Sequence, residues 1–327
     1  MDYSPGPRGL SKGLRILFLG MDGPLSRAVL AGLLAQGHPV VAMLRPGSGP
    51  LRAVHGGGSR APQAGELLPL VDPQVQATAS GLAHREGIPV YTTGDPRSEA
   101  IHAWLAELAV DVACVACFSL RLPGSLLALP RLGFLNVHPS LLPAYRGPAP
   151  LFWQFRHGVD PVGVTVHWLD EGLDTGDLAA QASLHLPEGI SGPEAEVRCG
   201  RLGASLLGQV LAELAQGRAP RTPQPPGGSY HPAPTPEDFR LDPGDSVRQA
   251  FRFMRGTAHW GYPYPVTVGT RTLHLLQALA WTPSPDPPPL RVEREIAHIP
   301  FRDGTLIATH FRWPSSGTAG ARPQRKR

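Results

Sequence analysis

The stretch FLNVH (134–138) ends an apolar run with an amide and an imidazole, Asn136 and His138, two residues apart. In a strand that spacing sends both side chains to one face. Neither residue is natural in a buried strand, which marks the pair as a candidate site. The pair is equally compatible with a histidine that ends a strand and hydrogen-bonds to the next turn. A second polar cluster, LDEGLDTGD (169–177), follows the apolar run VGVTVHWL (162–169). Its acids fit a turn, where Asp and Gly dominate. They also offer a carboxylate partner to His138, which would favour the charged ring and fix its tautomer. Asp170, Asp174 and Asp177 lack the alternate-residue rhythm of a calcium loop, so no metal is expected there.

These residues need a scaffold, and the flanking sequence describes one. LRILFLG (14–20) is a continuous apolar strand, Pro24 opens a helix carrying Leu25, Val29, Leu33 and Leu34, and PVVAML (39–44) is the next strand. Strand, helix and strand within about 30 residues make a βαβ unit. Residues 45–71 break the pattern as a long loop. Alternation then resumes: helices over 73–86, 98–108 and 148–157, strands at 88–91, 110–118, 133–137, 162–169 and near 177–184, and a helix from Ser191 to about 216. Its apolar face reads Val197, Leu202, Leu206, Val210 and Leu214. The pattern predicts an α/β fold, a Rossmann-like, mostly parallel sheet with helices on both faces. Asn136 and His138 then stand at the C-terminal sheet edge, where such folds place their sites. Residues 218–235 read as a linker by composition. A helix at Ser246–Met254 and short β-rich runs at 264–269, 272–281, 289–293 and 304–311 predict a small C-terminal barrel-like domain. The expected divisions are a flexible leader (1–13), a catalytic domain (14–217), the linker (218–235), a β-rich domain (236–313) and a disordered basic tail (314–327).

The chain has 327 residues, 42% of them hydrophobic and 17% charged, so it buries a real core and is not wholly disordered. Its net charge of +4 invites a nucleic-acid reading, yet Arg322, Arg325, Lys326 and Arg327 supply all of it. The remainder is formally neutral. No apolar run is long enough to span a bilayer, and the N-terminus has no secretory core, so a cytoplasmic location is expected. Three cysteines exclude a disulfide framework. Cys114 and Cys117 lie three apart in a strand, on opposite faces, and are expected to be buried structural thiols. The turn GMDGPL after the first strand lacks the G-x-G-x-x-G spacing, which argues against a nicotinamide-dependent oxidoreductase.

The string NVHPSLLPAYRG (136–147) followed by GVTVHWLDEGLDTGD (163–177) resembles the signature of the formyltetrahydrofolate-dependent formyltransferases. The resemblance covers roughly residues 14–217. It implies a Rossmann-like catalytic domain, 10-formyltetrahydrofolate as co-substrate and no metal, with Asn136, His138 and Asp174 as the catalytic set. An amine attacks the formyl carbon, Asn136 and a protonated His138 form the oxyanion site, and Asp174 holds the ring charged and helps move the amine's proton. Carried over by position, CFSLRLP (117–123) implicates Ser119, Leu120 and Leu122 in folate binding. SLLP does the same for Ser140, Leu141, Leu142 and Pro143, although Leu141 and Leu142 also fit core packing.

PTPEDFRLDPGDSVRQAFRFMRG (234–256) resembles more weakly the second domain of the tRNA-directed members, and Arg146 sits where those members carry arginine. Two features depart from that subgroup. GMDGPLS (20–26) replaces its usual G-T-P-x-F-A-like start, and RPGSGPLRAVHGGGSRAP (45–62) replaces its basic, lysine-containing insertion. Only Lys12 and Lys326 occur, so arginine must do any phosphate binding. Arg45, Arg52, Arg60 and Arg146 are the candidate acceptor-binding residues, joined by Arg248, Arg252 and Arg255 in one groove. The leading expectation is a cytoplasmic, monomeric enzyme formylating the amino group of methionyl-tRNA. The alternatives are formylation of a small amine such as an amino sugar, hydrolysis of the formyl folate, and a folate- or RNA-binding protein without turnover.

Overall fold

The computed structural model describes residues 13–54 and 77–310. Residues 1–12 and 311–327, and with them nearly all of the expected leader and the whole basic tail, lie outside the described residues, as does Arg60. By contact the chain divides into two units, Met1–Ala233 and Pro234–Arg327.

In the first unit the elements run β1 (Ile16–Gly20), α1 (Pro24–Ala35), β2 (Val40–Pro46), β3 (Arg52–Val54), α2 (Ala79–Arg85), β4 (Val90–Thr93), α3 (Glu99–Leu108), β5 (Val112–Ala116) and α4 (Gly124–Leu127). They continue with β6 (Phe134–His138), α5 (Pro150–Arg156), β7 (Val162–Trp168), β8 (Leu178–Leu184) and α6 (Gly192–Ala215). The eight strands form one sheet in the order β3-β4-β2-β1-β5-β6-β7-β8. β1, β2, β4, β5 and β6 pair in parallel, whereas β3, β7 and β8 pair antiparallel to their neighbours. β1, β5 and β7 are buried along their whole length, which is why they read as unbroken apolar runs. α3 and α4 cover one face through Ile101, Leu105 and Leu126 against Leu17, Leu19, Ala113 and Val115. α1 and α6 pack together on the other.

Four expectations need correction. The loop expected over 45–71 is not wholly irregular, because β2 runs on to Pro46 and Arg52–Val54 adds an edge strand antiparallel to β4. Of the helix expected over 73–86, residues 73–76 lie outside the described residues, and the described helix starts only at Ala79 and ends at Arg85, capped by the Thr78 side chain accepting from the Gly81 N–H. In α6 the first two expected apolar positions, Val197 and Leu202, are only half-buried. The buried face there is Ala195, Cys199, Gly203 and Ala204, since a Cβ on Gly203 would lie 2.3 Å from Val137 Cγ1. Close approach to the sheet selects small residues, which the apolar periodicity does not register. Last, Cys114 is buried in β5, but Cys117 falls just past the strand's end at φ 57° and is exposed, so it is no core thiol.

In the second unit a 3-10 turn at Pro236–Phe239 precedes α7 (Val247–Thr257), and β9 (Tyr264–Val268), β10 (Arg271–Pro283), β11 (Arg291–Glu293), β12 (Ile296–Phe301) and β13 (Gly304–His310) follow. The strands form an antiparallel sheet in the order β11-β12-β13-β10-β9. β12 escapes the sequence reading because Pro300 lies inside it. The core of this unit joins Phe239, Phe253 and Tyr264, with ring centroids 5.5–6.2 Å apart.

Candidate active site

Asn136 and His138 occupy the last turn of pleat in β6, at the C-terminal edge of the parallel strands. In the antiparallel ladder with β7, Asn136 pairs with His167 and His138 with Thr165. The register therefore delivers a second imidazole, fully buried, to the polar pair. His167 Nδ1–H donates to the Trp168 carbonyl at 2.9 Å, leaving Nε2 to accept from Asn136 Nδ2 at 3.0 Å. One amide hydrogen of Asn136 is thus tied back, and the other is aimed by that tie. Sequence reasoning missed His167, although a histidine inside the apolar run VGVTVHWL is the same kind of anomaly as His138.

His138 is buried, with only 5% of its surface exposed. Its Nε2–H donates to the Tyr145 carbonyl at 2.9 Å, and its Nδ1 lies 3.5 Å from Asp174 Oδ1. The same carboxylate oxygen is 3.5 Å from His167 Nε2, while Oδ2 accepts from the Gly147 N–H at 2.9 Å. Burial alone would raise the Asp174 carboxyl, but the His138 and His167 rings and the Gly147 N–H outweigh it and bring it to about 2. Burial pushes His138 below its ordinary 6.5, against the upward pull of Asp174 and the Tyr145 carbonyl. Burial thus favours a neutral His138 beside an ionised Asp174, where the resemblance implied a protonated ring. With Nε2 carrying the proton, Nδ1 is the basic atom.

The candidate folate residues divide sharply. Among the described residues, no backbone N–H or C=O of Ser119, Leu120, Arg121 or Leu122 meets another backbone group. The Leu122 side chain itself belongs to the core. Arg121 ties this loop to the other polar loop by donating to the Glu171 carbonyl at 2.5 Å. The Ser140 side chain is fully buried, and its hydroxyl donates to the Ala144 carbonyl at 2.7 Å. Leu142 is core, with its N–H donated to Thr165 Oγ1 and its carbonyl accepting from Gln181. Leu141 is exposed and covers Gly163, and the Pro143 carbonyl accepts from the Ser229 N–H.

Of the acceptor candidates, Arg45 pairs with Asp22 at 2.8 Å, Arg52 is exposed on the edge strand, and Arg146 gives its guanidinium to Gln224 Oε1 at 2.7 Å. Arg248, Arg252 and Arg255 lie on α7 of the second unit. Among the described residues no group of three or more His, Cys, Asp or Glu is arranged to hold a metal, and no helix is long and apolar enough to cross a membrane.

Comparison with known proteins gives this geometry a family. Residues 60–211 match the formyl transferase family pattern. The chain is 32% identical over 318 residues to a methionyl-tRNA formyltransferase of Alcanivorax borkumensis, covering 93% of this chain and 88% of that protein. A methionyl-tRNA formyltransferase of Symbiobacterium thermophilum is 32% identical over 275 residues, covering 84% and 78%. Among solved structures, WlaRD, a sugar 3N-formyl transferase crystallised with dTDP and 5-N-formyl-THF, shares the fold at TM-score 0.60 and 13% identity, over 93% of this chain and all of that one. With such identity spread across nearly its whole length, the chain belongs to the formyl transferase family, among the methionyl-tRNA formyltransferases.

Proposed function

We propose that the protein transfers the formyl group of 10-formyltetrahydrofolate to the amino group of methionyl-tRNA, with Asn136, His138 and Asp174 as the catalytic residues. The observation that carries the reading is the convergence of one aimed amide, one basic imidazole nitrogen and one ionised carboxylate at a single sheet edge. The backbone of Ser119–Leu122, which meets no other backbone group among the described residues, supports folate recognition at the neighbouring loop.

In this reading Asn136 donates its remaining amide hydrogen to the formyl oxygen as negative charge grows there, a contribution of about 10²–10³ in rate. As the attacking amine turns cationic, its proton passes to His138 Nδ1, directly or through one water. Asp174 then faces a doubly protonated ring and stabilises it, until the ring returns that proton to folate N10 as the carbon–N10 bond breaks and tetrahydrofolate leaves. Nε2–H stays on the Tyr145 carbonyl throughout, so the ring keeps its orientation while its charge changes. Placement of both reactants against this edge supplies the remaining acceleration. We take the enzyme to be a cytoplasmic monomer, and sedimentation of the purified chain tests the second half of that statement.

Formylation of an amino sugar is the second reading, favoured by one observation: two candidate phosphate-binding arginines are already engaged, Arg45 with Asp22 and Arg146 with Gln224. An acceptor screen separates them. The purified chain is given 10-formyltetrahydrofolate with methionyl-tRNA, with an amino-sugar nucleotide, or with no acceptor. Folate turnover that requires methionyl-tRNA is the expected result. Turnover only on the sugar defeats the tRNA reading, and turnover without any acceptor points to hydrolysis.

A further inference from the structure

The Pro- and Gly-rich stretch after α6 has the composition of a free spacer, yet it lies along the catalytic loops. Trp168 Nε1 donates to the Pro220 carbonyl at 2.8 Å, and Thr222 and Leu178 exchange backbone hydrogen bonds at 2.8 and 2.9 Å. Farther on, Ser229 and His231 pair with the residues after His138. Arg146 N–H donates to the Ser229 carbonyl and His231 N–H to the Arg146 carbonyl, each at 2.9 Å. A Cβ on Gly228 would lie 2.2 Å from the Pro143 carbonyl oxygen, so the two segments touch without slack.

These bonds fall on the atoms that hold the reacting pair. Tyr145, whose carbonyl takes the Nε2 proton of His138, sits at φ 61°, a left-handed conformation unfavourable for a residue with a side chain. Its N–H is bound by the Ser229 hydroxyl at 2.9 Å, and its ring stacks on His231 at 5.2 Å, with Trp153 stacked on His231 at 5.1 Å. Asp174 also sits at a positive φ, 55°. Its carbonyl accepts from Gln224 Nε2 at 2.8 Å, and the same nitrogen donates at 2.8 Å to the Gly176 carbonyl. Gln224 Oε1 holds Arg146, so one amide spans the loops that carry His138's partner and Asp174. Two residues in costly conformations face each other across the reacting imidazole, and both are restrained by one segment.

We propose that Pro220–Pro232 is a clasp that positions His138 against Asp174 through Tyr145, with Gln224 and Ser229 as its positioning residues. Gln224 and Ser229 hydrogen-bond to the Arg146 guanidinium, the Tyr145 N–H and the Asp174 and Gly176 carbonyls. The clasp's contribution is geometric, and a displacement of about 1 Å at such a site is worth up to about 10²-fold in rate.

The proposal rests on formyl transfer as the reaction, so it is tested with the full chain and the acceptor that the screen identifies. Gln224→Met keeps the side-chain length and removes every hydrogen bond of the amide. The expected result is a kcat lower by about 10- to 100-fold with KM for 10-formyltetrahydrofolate changed less than about twofold. A general loss of structure would not give that split. In an Asp174→Asn background the same substitution should cost little more, because the residue being positioned has already lost its charge. Ser229→Ala, which removes one hydroxyl, serves if Gln224→Met does not fold, and should lower kcat severalfold with the same unchanged folate KM. An unchanged kcat in the folded variants, or a Gln224→Met penalty that persists in full beside Asp174→Asn, overturns the clasp while leaving formyl transfer standing. A wild-type chain inactive with every acceptor overturns both.

Discussion

Asn136 and His167 stand opposite each other across the antiparallel pair β6–β7, with the amide nitrogen 3.0 Å from the ring Nε2. The ring accepts there because its other nitrogen donates to the Trp168 carbonyl. Carbonyl, imidazole and amide form one directed chain, and the direction fixes which way the Asn136 nitrogen points. An amide free to rotate would present its oxygen to a growing oxyanion half of the time. The buried histidine removes that choice.

Replacing His167 therefore acts through Asn136. His167→Leu, which has no acceptor, should lower kcat about 10- to 100-fold, and His167→Gln, whose side-chain oxygen can accept, should recover part of the loss. Asn136→Ala alone should cost about 10²–10³. The double variant Asn136→Ala/His167→Leu should be no slower than Asn136→Ala. Fully additive losses in steady-state kinetics would separate the two residues.

His138→Ala removes the base and should lower turnover by about 10²–10⁴. Formyl folate binding, read by fluorescence or calorimetry, should survive, because the ring's hydrogen bond goes to the Tyr145 carbonyl and its other nitrogen faces Asp174. A folded variant with near-wild-type turnover would remove His138 from the chemistry.

The pH profile follows from the direction of the shifts. His138 acts when neutral, and burial holds it below 6.5, with Asp174 pulling it upward. The acid limb of kcat/KM should therefore lie below 6.5, with activity level through neutrality and lost as the ring protonates. Asp174→Asn removes the upward pull, so its limb should lie lower still while kcat falls. Stability follows the same sign. Asp174, at about 2 in the folded chain, stabilises it above its ordinary 3.8 and loses that contribution as pH falls through about 2. An acid limb above 6.5, or one raised by Asp174→Asn, contradicts the neutral base.

The buried strands are legible in the sequence because a doubly covered sheet demands apolar runs, and β1, β5 and β7 supply them. Asn136 and His138 are legible because polar groups inside such a run are anomalous. His167 shares that anomaly, but its importance depends on register, and register is set by an antiparallel pairing that the run alone does not reveal. The charge state of His138 escapes the sequence for a related reason. A neighbouring carboxylate is visible there, whereas the burial that opposes it exists only once the chain is packed. Gln224, Ser229 and His231 are invisible, since proline and glycine describe an unanchored spacer equally well as a segment laid flat on a loop.

The last prediction concerns Arg45, near the end of β2, and the arginines of the segment that follows it. Each arginine withdrawn from a phosphate of a single-stranded RNA end should make log K against log salt shallower by about 0.7. Arg45 already faces Asp22 at 2.8 Å, so phosphate would have to compete with a carboxylate for it. Arg52 is exposed on the edge strand, and Arg60 lies outside the described residues. If methionyl-tRNA is the acceptor, Arg45→Ala alone should leave the salt slope almost unchanged, because its charge already faces Asp22. Replacing Arg45, Arg52 and Arg60 together should weaken binding and flatten the slope by about 1–2, a signature of fewer neutralised phosphates and not of a damaged fold. Filter binding of methionyl-tRNA across a salt series reads both quantities. Unchanged affinity and slope in the triple variant would exclude this loop from RNA binding and move the balance toward a small amine as the acceptor.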